Sequence, residues 1–256
     1  MKKALLIILA LCMILAMSAC FVPPVGGGMG SSNESDNEST NETKATEATT
    51  TSDPYKITYS SAKTYRSDTS TTWVQAIAEI ENTGSYNLYL RTGKCDIEDS
   101  EGNLVASRDM SVYPQIIAPG EKAVYYDEYV IDSLPEPAEL KIVPRPDVVK
   151  SLTKHVTYSV TDISIADYIY GGIKVVGRME NTSKYEESMI YVAVTLYNEA
   201  SEPIGLVYTI LYDKIAPGEK VGFEAANASL PDEVTADSVA SYTAVAYPYQ
   251  FQIDFY

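Results

Sequence analysis

Side chains suited to nucleophilic or acid–base catalysis are scarce in this chain of 256 residues, which contains one histidine, His155, and three cysteines. A catalytic centre of that kind needs a nucleophile, an adjacent base and a group that orients the base. The sequence has no Gly-x-Ser-x-Gly or His-Glu-x-x-His motif, and no strand and helix patterns flank its glycine-rich segment 26–30. We therefore expect that the protein is not an enzyme. An enzyme would need a deep polar pocket around His155 or Cys95.

An acidic cluster, formed by Asp96, Glu98, Asp99 and Glu101, is the second candidate for chemistry. Carboxylate oxygens are the ligands that Ca²⁺ prefers. However, Asp96 and Glu98 share one face of a predicted strand, whereas Asp99 begins the turn that follows it. The spacing also differs from that of an EF-hand loop. We interpret the cluster as a solvated acidic hairpin and expect neither a metal site nor another cofactor.

Cys20 has the context of a processing site. An apolar run over residues 4–16 follows two lysines, and the small residues Ser18 and Ala19 directly precede the cysteine. This order is typical of a secretory signal with a small-residue cleavage site, and the apolar run is short for a membrane-spanning helix. The pattern predicts a signal peptide over residues 1–19.

Residues 15–20 resemble a bacterial lipobox, although Met17 stands where leucine is more usual. In a lipobox the cysteine is lipidated and becomes the first mature residue. The resemblance implies lipid attachment at Cys20 and a location at the cell membrane, on its extracytoplasmic face. One acyl chain binds a bilayer only reversibly, and a diacyl or triacyl cysteine would supply the additional chains. The alternatives are a secretory signal with an incidental cysteine and an uncleaved anchor helix, both of which leave Cys20 as a free thiol.

The charge of the chain excludes several partners. Its net charge is −16, which becomes −18 when residues 1–19 and their two lysines are removed. Such an acidic protein is poorly suited to nucleic acid, whose binding depends on lysine and arginine contacts to phosphate. An anionic membrane surface would also repel it. We therefore expect no nucleic-acid partner and a membrane partner only through the lipid on Cys20.

The cysteine count leaves no intramolecular disulfide in the mature protein. Cys12 is lost with the signal peptide and Cys20 is lipidated, so that Cys95 remains alone. Lone buried cysteines usually behave as small apolar side chains. Val194 occupies the position equivalent to Cys95 in the internal repeat described below, which favours that role.

Residues 20–54 form a predicted tether. Between residues 26 and 53 there is almost no large apolar side chain, and six acidic residues stand against the single basic residue Lys44. Such a segment cannot bury enough surface to offset its ordering entropy, and its charges repel one another. The composition predicts a disordered, extended connection between the anchor and the rest of the chain.

The remainder of the chain contains an internal duplication, because four short motifs recur in the same order. The paired blocks are 58–60 and 157–159, 81–83 and 180–182, 117–122 and 215–220, and 133–135 and 229–231. Their separation of 96–99 residues is too long for a solenoid repeat and matches one domain per copy. The duplication predicts domains over residues 55–147 and 148–256, connected through Pro144-Arg145-Pro146.

Each copy has the pattern of a β protein. Residues 74–80 and 173–179 alternate in the period of half-buried strands, and no stretch has a clear helical apolar face. Pro119 and Gly120 occupy the two central positions of a predicted type II turn. About seven short strands per copy indicate an all-β protein made of two tandem immunoglobulin-like β-sandwich domains.

The two copies resemble the FxLYD-type domains of bacterial surface lipoproteins. The resemblance depends on the strand that ends in Glu-Asn-Thr, on Leu196-Tyr197-Asn198 and on the Ile-Ala-Pro-Gly-Glu-Lys turn, and it covers most of residues 55–256. Val194 stands where the family has phenylalanine, and Asn198 where it has aspartate. The resemblance implies a β-sandwich outside the membrane and assigns no activity to particular residues.

Tyrosine is unusually frequent, with 21 residues against four phenylalanines. Tyrosine is common in recognition surfaces, and it also replaces phenylalanine in half-buried sheet positions where its hydroxyl reaches water. Tyr125 and Tyr126 are adjacent in a predicted strand, so we expect one of them to face outward.

These features lead us to expect a lipid-anchored extracellular binding module that presents its two domains to an envelope protein, a peptide or a glycan. The alternative is a structural or accessory subunit of a membrane-associated complex, with no soluble ligand.

Overall fold

The computed structural model of the chain describes residues 53–65, 71–132 and 139–249, and these residues form an all-β protein. The predicted signal peptide, Cys20 and the predicted tether up to residue 52 lie outside the described residues. In the part that the structure describes, no helix is long and apolar enough to cross a membrane.

The strands divide into two sets that correspond to the two copies of the repeat. The first copy contains β1 Tyr55–Tyr65, β2 Thr71–Asn82, β3 Leu88–Glu98, β4 Leu104–Tyr113, β5 Ile116–Ile117, β6 Lys122–Asp132 and β7 Lys141–Lys150. The second copy contains β8 Ser159–Asp167, β9 Ile173–Glu180, β10 Ile190–Tyr197, β11 Pro203–Leu211, β12 Lys220–Asn227 and β13 Ser241–Pro248, with a 3₁₀ helix at Ala236–Ser238.

Strand pairing repeats from one copy to the other, and all of the pairs are antiparallel. In the first copy β2 lies between β1 and β6, and β3 pairs with β4 and β7. In the second copy β9 lies between β8 and β12, and β10 lies between β11 and β13. The end of β4 also pairs with β6, which joins the strands of the first copy into one sheet. The repeated motifs of the sequence therefore correspond to a repeated strand order.

The motif Glu-Asn-Thr recurs because its asparagine connects three segments of each copy. Asn82 is buried, and its Nδ2 donates to the carbonyl oxygens of Tyr86 and Ile117 at 2.9 and 3.0 Å. Its Oδ1 accepts the N–H of Gly84 at 2.9 Å. The end of β2, the loop that follows it and strand β5 are thus held by one amide.

The second copy repeats this arrangement around Asn181. Its Nδ2 donates to the carbonyls of Tyr185 and Ile215, both at 2.8 Å, and its Oδ1 accepts the N–H of Ser183 at 2.9 Å. The Pro-Gly turns lie beside the two asparagines, since Gly120 and Gly218 donate their N–H groups to the main-chain oxygens of Asn82 and Asn181. Both pairs of motifs therefore belong to one local structure.

The predicted type II turn is confirmed at Ala118-Pro119-Gly120-Glu121. The N–H of Glu121 donates to the carbonyl of Ala118 at 3.0 Å, and Gly120 has φ of +82°. A Cβ at Gly120 would meet no atom within 4 Å, so the backbone angle and not the available space requires glycine here.

The apolar core of the second copy extends onto the first. One cluster of buried side chains contains only first-copy residues, among them Val74, Ile80 and Leu90. The other contains the second-copy core together with three buried residues of the first copy, Ile77, Val124 and Tyr126. The outer face of β2 and β6 is consequently covered by the second copy.

This packing corrects the expectation that one of Tyr125 and Tyr126 faces outward. Both are buried, at 3% and 6% exposure. Tyr125 packs into the first-copy core and Tyr126 packs into the cluster shared with the second copy. The alternation of the strand is as expected, but at these two residues neither of its faces is exposed to solvent.

The predicted connection Pro144-Arg145-Pro146 is also wrong, because these residues lie inside strand β7. Strand β7 pairs only with β3, with an irregular register next to Pro146. Proline lacks the N–H of a ladder hydrogen bond, and an edge strand with a bulge tolerates that loss. The strand ends at Lys150, beyond the segment that was predicted to connect the copies.

Candidate binding groove between the two copies

Glu79 carries a carboxylate into the contact between the copies, where its side chain is only 4% exposed. Oε1 pairs with the ammonium of Lys122 and accepts the hydroxyl of Thr58 at 2.7 Å. Oε2 accepts the hydroxyl of Tyr197, a second-copy residue, at 3.0 Å. A buried charge needs a partner and further hydrogen bonds to be stable, and residues of both copies supply them here.

A second polar group crosses the contact at Gln75, which is 1% exposed. Its Nε2 donates to the carbonyl of Ile204 in the second copy at 3.2 Å. In the opposite direction, Nδ2 of Asn227 in the second copy donates to the hydroxyl of Tyr126 at 3.0 Å and to Oε1 of Glu128 at 2.9 Å. These bonds fix one copy against the other, because each buried polar group finds its partner across the contact.

A groove of about 460 Å³ opens beside this network, and both copies line it. Its lining residues are Trp73, Ser111, Tyr113, Tyr126, Asp127, Glu128, Tyr208, Ala226 and Asn227. The volume is within the range of small-ligand sites, roughly 300–1,000 Å³. Aromatic rings and two carboxylates therefore surround a space large enough for a side chain or a small molecule.

Asp127 has an unfavourable environment for a charge. Burial raises the pKa of this carboxyl, and nearby Asp109 raises it further, while N–H groups of Glu128 and Ser111 act in the opposite direction. Within the described residues, neither Asp127 nor Glu128 forms an ion pair. Among the described residues, the groove thus holds acidic side chains that no ion pair neutralises.

Tyrosine rings continue from the groove along the end of the contact. The rings of Tyr113 and Tyr208 lie 4.9 Å apart, one from each copy. Tyr191 stacks on Tyr247 and Tyr249 at 5.6 and 5.1 Å. Tyr247 is buried, whereas Tyr208 is 45% exposed. The cluster therefore both packs the two copies together and presents aromatic surface to solvent.

His155 lies in a separate cavity of about 350 Å³, also between the copies. Its Nε2 is 2.9 Å from Oε2 of Glu121, without the alignment of a hydrogen bond. The structure does not bring His155 together with Cys95, which is buried in the first-copy core. The histidine thus contacts an acid, and the residues that line its cavity do not include Cys95.

Cys95 is fully buried at the position equivalent to Val194, which is also fully buried. The prediction that Cys95 is an apolar core residue is confirmed. Burial raises the pKa of its thiol to about 11, and a nearby tyrosine hydroxyl, that of Tyr129, acts in the opposite direction.

We expect Cys95 to resist alkylation in the native protein, since the reactive thiolate is disfavoured and shielded. Iodoacetamide at pH 8 should label the mature Cys20→Ala chain only after denaturation, as measured by intact mass. Equal labelling rates for the native and the denatured chain would contradict the buried position.

The acidic cluster is divided between two structural roles. Hydrogen bonds from Ser107 and Arg145 lower the pKa of Asp96. Oδ1 of Asp99 accepts the N–H groups of Glu101 and Asn103, both at 2.9 Å, and closes the hairpin between β3 and β4. In the described ranges, no three or more His, Cys, Asp or Glu side chains are placed to hold a metal ion.

Sequence reasoning missed the groove, although a signal for the contact was present. The outward positions of β2 are Gln75, Ile77 and Glu79, whereas the equivalent positions of β9 include Lys174 and Arg178. Ile77 is buried under the second copy, while Arg178 is exposed. The outward face of β2 carries fewer cationic side chains than that of β9, which indicates that the face of β2 is the covered one.

The chain matches no protein-family model and no curated protein.

Proposed function

We propose that the protein is a lipid-anchored binding module on the extracytoplasmic face of the cell membrane. In this proposal two immunoglobulin-like β-sandwich domains form one rigid unit, and the groove between them binds a protein or peptide partner. The lipid on Cys20 would keep this unit at the membrane, and the tether would let it extend away from the membrane surface. The proposal depends mainly on one observation: a groove lined with aromatic and acidic residues lies where both copies meet.

Several features support the choice of this groove over the other surfaces. The copies are held by buried polar contacts, which would keep the groove in one shape before a partner binds. Preorganised sites lose less entropy on binding. Tyrosine and tryptophan, which line the groove, are also the residues that most often dominate binding energy at interfaces. The repeated strand order, with a buried core in each copy, supports two sandwich domains.

A photocrosslinking experiment tests the proposed binding face. Tyr208 in the groove and Tyr242 elsewhere in the second copy are both 45% exposed, so they form a matched pair of sites. We expect benzoylphenylalanine at position 208 of the full anchored chain to crosslink a discrete envelope protein in intact cells, and the same group at position 242 not to do so. Equal crosslinking at both positions, or no product from position 208, would contradict a partner in the groove.

Membrane fractionation tests the anchor separately. We expect the wild-type chain to remain with membranes and to partition into detergent, and the Cys20→Ala chain to be lost from that fraction, because the acyl chains supply the binding energy. A Cys95→Ala chain is the matched control, since it removes the other mature cysteine and should stay anchored. Membrane retention of Cys20→Ala would exclude the lipid anchor.

A further inference from the structure

We propose that the groove binds a basic peptide segment, with an arginine or lysine head at the carboxylate of Glu128, near Asp127, and its methylene stem against the rings of Trp73, Tyr113 and Tyr208. This inference rests on the proposed function, since it names the chemistry of the partner that the groove would accept.

The lining of the groove is acidic. Asp127 and Glu128 line it, and no lysine or arginine does so in the part of the chain that the structure describes. Other acidic side chains of the first copy form ion pairs within the protein: Asp109 pairs with Lys94, and Asp147 with Arg91. A cationic ligand would supply the missing countercharge, and charge-assisted hydrogen bonds to carboxylates are stronger than neutral ones.

Glu128 is held in place by residues of both copies. Its Oε1 accepts hydrogen bonds from the hydroxyl of Tyr126 and from Nδ2 of Asn227. Its other oxygen, Oε2, has no hydrogen-bond partner among the described residues. The carboxylate is therefore oriented by both copies and keeps acceptor capacity for a ligand that brings N–H donors.

Aromatic rings lie next to the acidic residues of the groove, which suits a basic side chain. A cation within about 6 Å of an aromatic ring face is attracted by its quadrupole, and tryptophan is the most favourable ring. Lysine and arginine also bury their methylene stems on apolar surface while their heads stay polar. Trp73, Tyr113 and Tyr208 offer that surface next to the two carboxylates. A small inorganic cation would use only the acids, whereas a basic side chain uses both parts of the lining.

The environment of Asp127 adds support. Burial and Asp109 raise the pKa of its carboxyl, which means that its charged form is disfavoured in the empty groove. A bound cation would favour that charged form, so binding should weaken as the pH falls through the pKa of Asp127.

The test uses the mature chain with the Cys20→Ala substitution and an acetylated Gly-Arg-Arg-Gly peptide as the probe. Trp73 is the only tryptophan of the chain, so intrinsic fluorescence reports on the groove directly. We expect the arginine peptide to change the Trp73 emission in a saturable way at about 150 mM salt, where long-range attraction to an acidic protein is screened. The isosteric citrulline peptide, which lacks the charge, should bind at least about tenfold more weakly.

Paired variants separate a specific site from general acidity. Asp127→Asn and Glu128→Gln should each weaken the arginine peptide by about tenfold or more. The double variant Glu199→Gln and Asp213→Asn removes two exposed acids outside the lining and should leave the binding constant unchanged. Thermal denaturation monitored by circular dichroism identifies any variant that fails to fold. If one of the two groove variants does so, the binding constant of the other tests the inference.

Three outcomes would overturn the inference. The citrulline peptide could bind as well as the arginine peptide, the distant double variant could weaken binding as much as the groove variants, or a neutral oligosaccharide could change the Trp73 emission when the arginine peptide does not. If crosslinking from position 208 still yields a discrete partner in any of these cases, the proposed function stands and only the cationic ligand is excluded.

Discussion

Glu79→Ala should lower the free energy of unfolding of the chain by about 2–3 kcal/mol, because it removes a nearly buried carboxylate that accepts hydrogen bonds from both copies, while its pair with the half-exposed Lys122 contributes less. The substitution leaves the half-buried hydroxyls of Thr58 and Tyr197 without the carboxylate that accepts them. It also removes the countercharge of Lys122 and opens a cavity between the copies.

Urea denaturation of the mature Cys20→Ala chain measures this effect, with Arg178→Ala as the matched control. Arg178 holds the equivalent position in β9, but its side chain is 64% exposed and its contact with Asp162 is 3.7 Å long. We expect less than about 0.5 kcal/mol from this surface change. Equal losses for the two variants would mean that Glu79 does not act through a buried contact.

Two further variants divide the effect of Glu79 into parts. Glu79→Gln keeps the shape and one acceptor oxygen but removes the charge opposite Lys122, so it tests the ion pair with little change in volume. Tyr197→Phe removes only the hydroxyl that crosses from the second copy. If the contact between the copies is tight, Tyr197→Phe should have little effect in a chain that already carries Glu79→Ala, since the hydrogen bond is then already lost.

The duplication and the all-β class could be predicted from sequence because both are encoded by local patterns. The Asn82 and Asn181 motifs recur at a fixed separation, and the structure gives both asparagines the same three hydrogen bonds. The turn at Gly120 was predictable for a similar reason, since a positive φ next to a proline leaves little choice of residue.

The contact between the copies was not predictable from those patterns. Alternation identifies two faces of a strand but does not say what covers the outer one. Tyr126 and Gln75 are therefore compatible with a solvated face, and only the second copy explains why they are buried. Pro144 is a similar case. The local sequence predicts a connection between domains because proline cannot donate a ladder hydrogen bond, but strand β7 lies at a sheet edge, where that loss is tolerated.

The groove was missed for a related reason. Trp73 and Glu128 come from the first copy and Asn227 from the second, so no single motif contains them. Comparing the two copies position by position would have been more informative than searching for motifs. Where the copies agree, as at the two buried asparagines, the residue maintains the local fold. Where they differ, as at Glu79 and Arg178, the residue reflects what each copy contacts.

Asn181→Ala should be comparably damaging, with a loss of about 3 kcal/mol in the free energy of unfolding, since Asn181 makes three hydrogen bonds and each contributes about 1 kcal/mol net. The carbonyls of Tyr185 and Ile215 would each lose one of two donors, since the hydroxyl of Ser183 and the N–H of Glu187 also bond to them, and the N–H of Ser183 would lose its acceptor. Asn82→Ala should behave in the same way in the first copy. The matched control is Asn198→Ala, whose side chain also accepts main-chain N–H groups but lies in an exposed hairpin where water replaces it.

The variant Asn181→Asp distinguishes lost hydrogen bonds from lost volume, because the two side chains have the same shape. A carboxylate at this position would place an acceptor oxygen against two carbonyl oxygens, so its pKa in the folded protein should be raised above that of the unfolded chain. Such a group stabilises the fold below its unfolded pKa and loses that contribution as the pH rises through the folded value. The deficit of Asn181→Asp relative to wild type should therefore be largest at pH 7 and should shrink as the pH falls toward about 4. A deficit independent of pH, or equal to that of Asn198→Asp, would show that the amide of Asn181 does not hold these segments together.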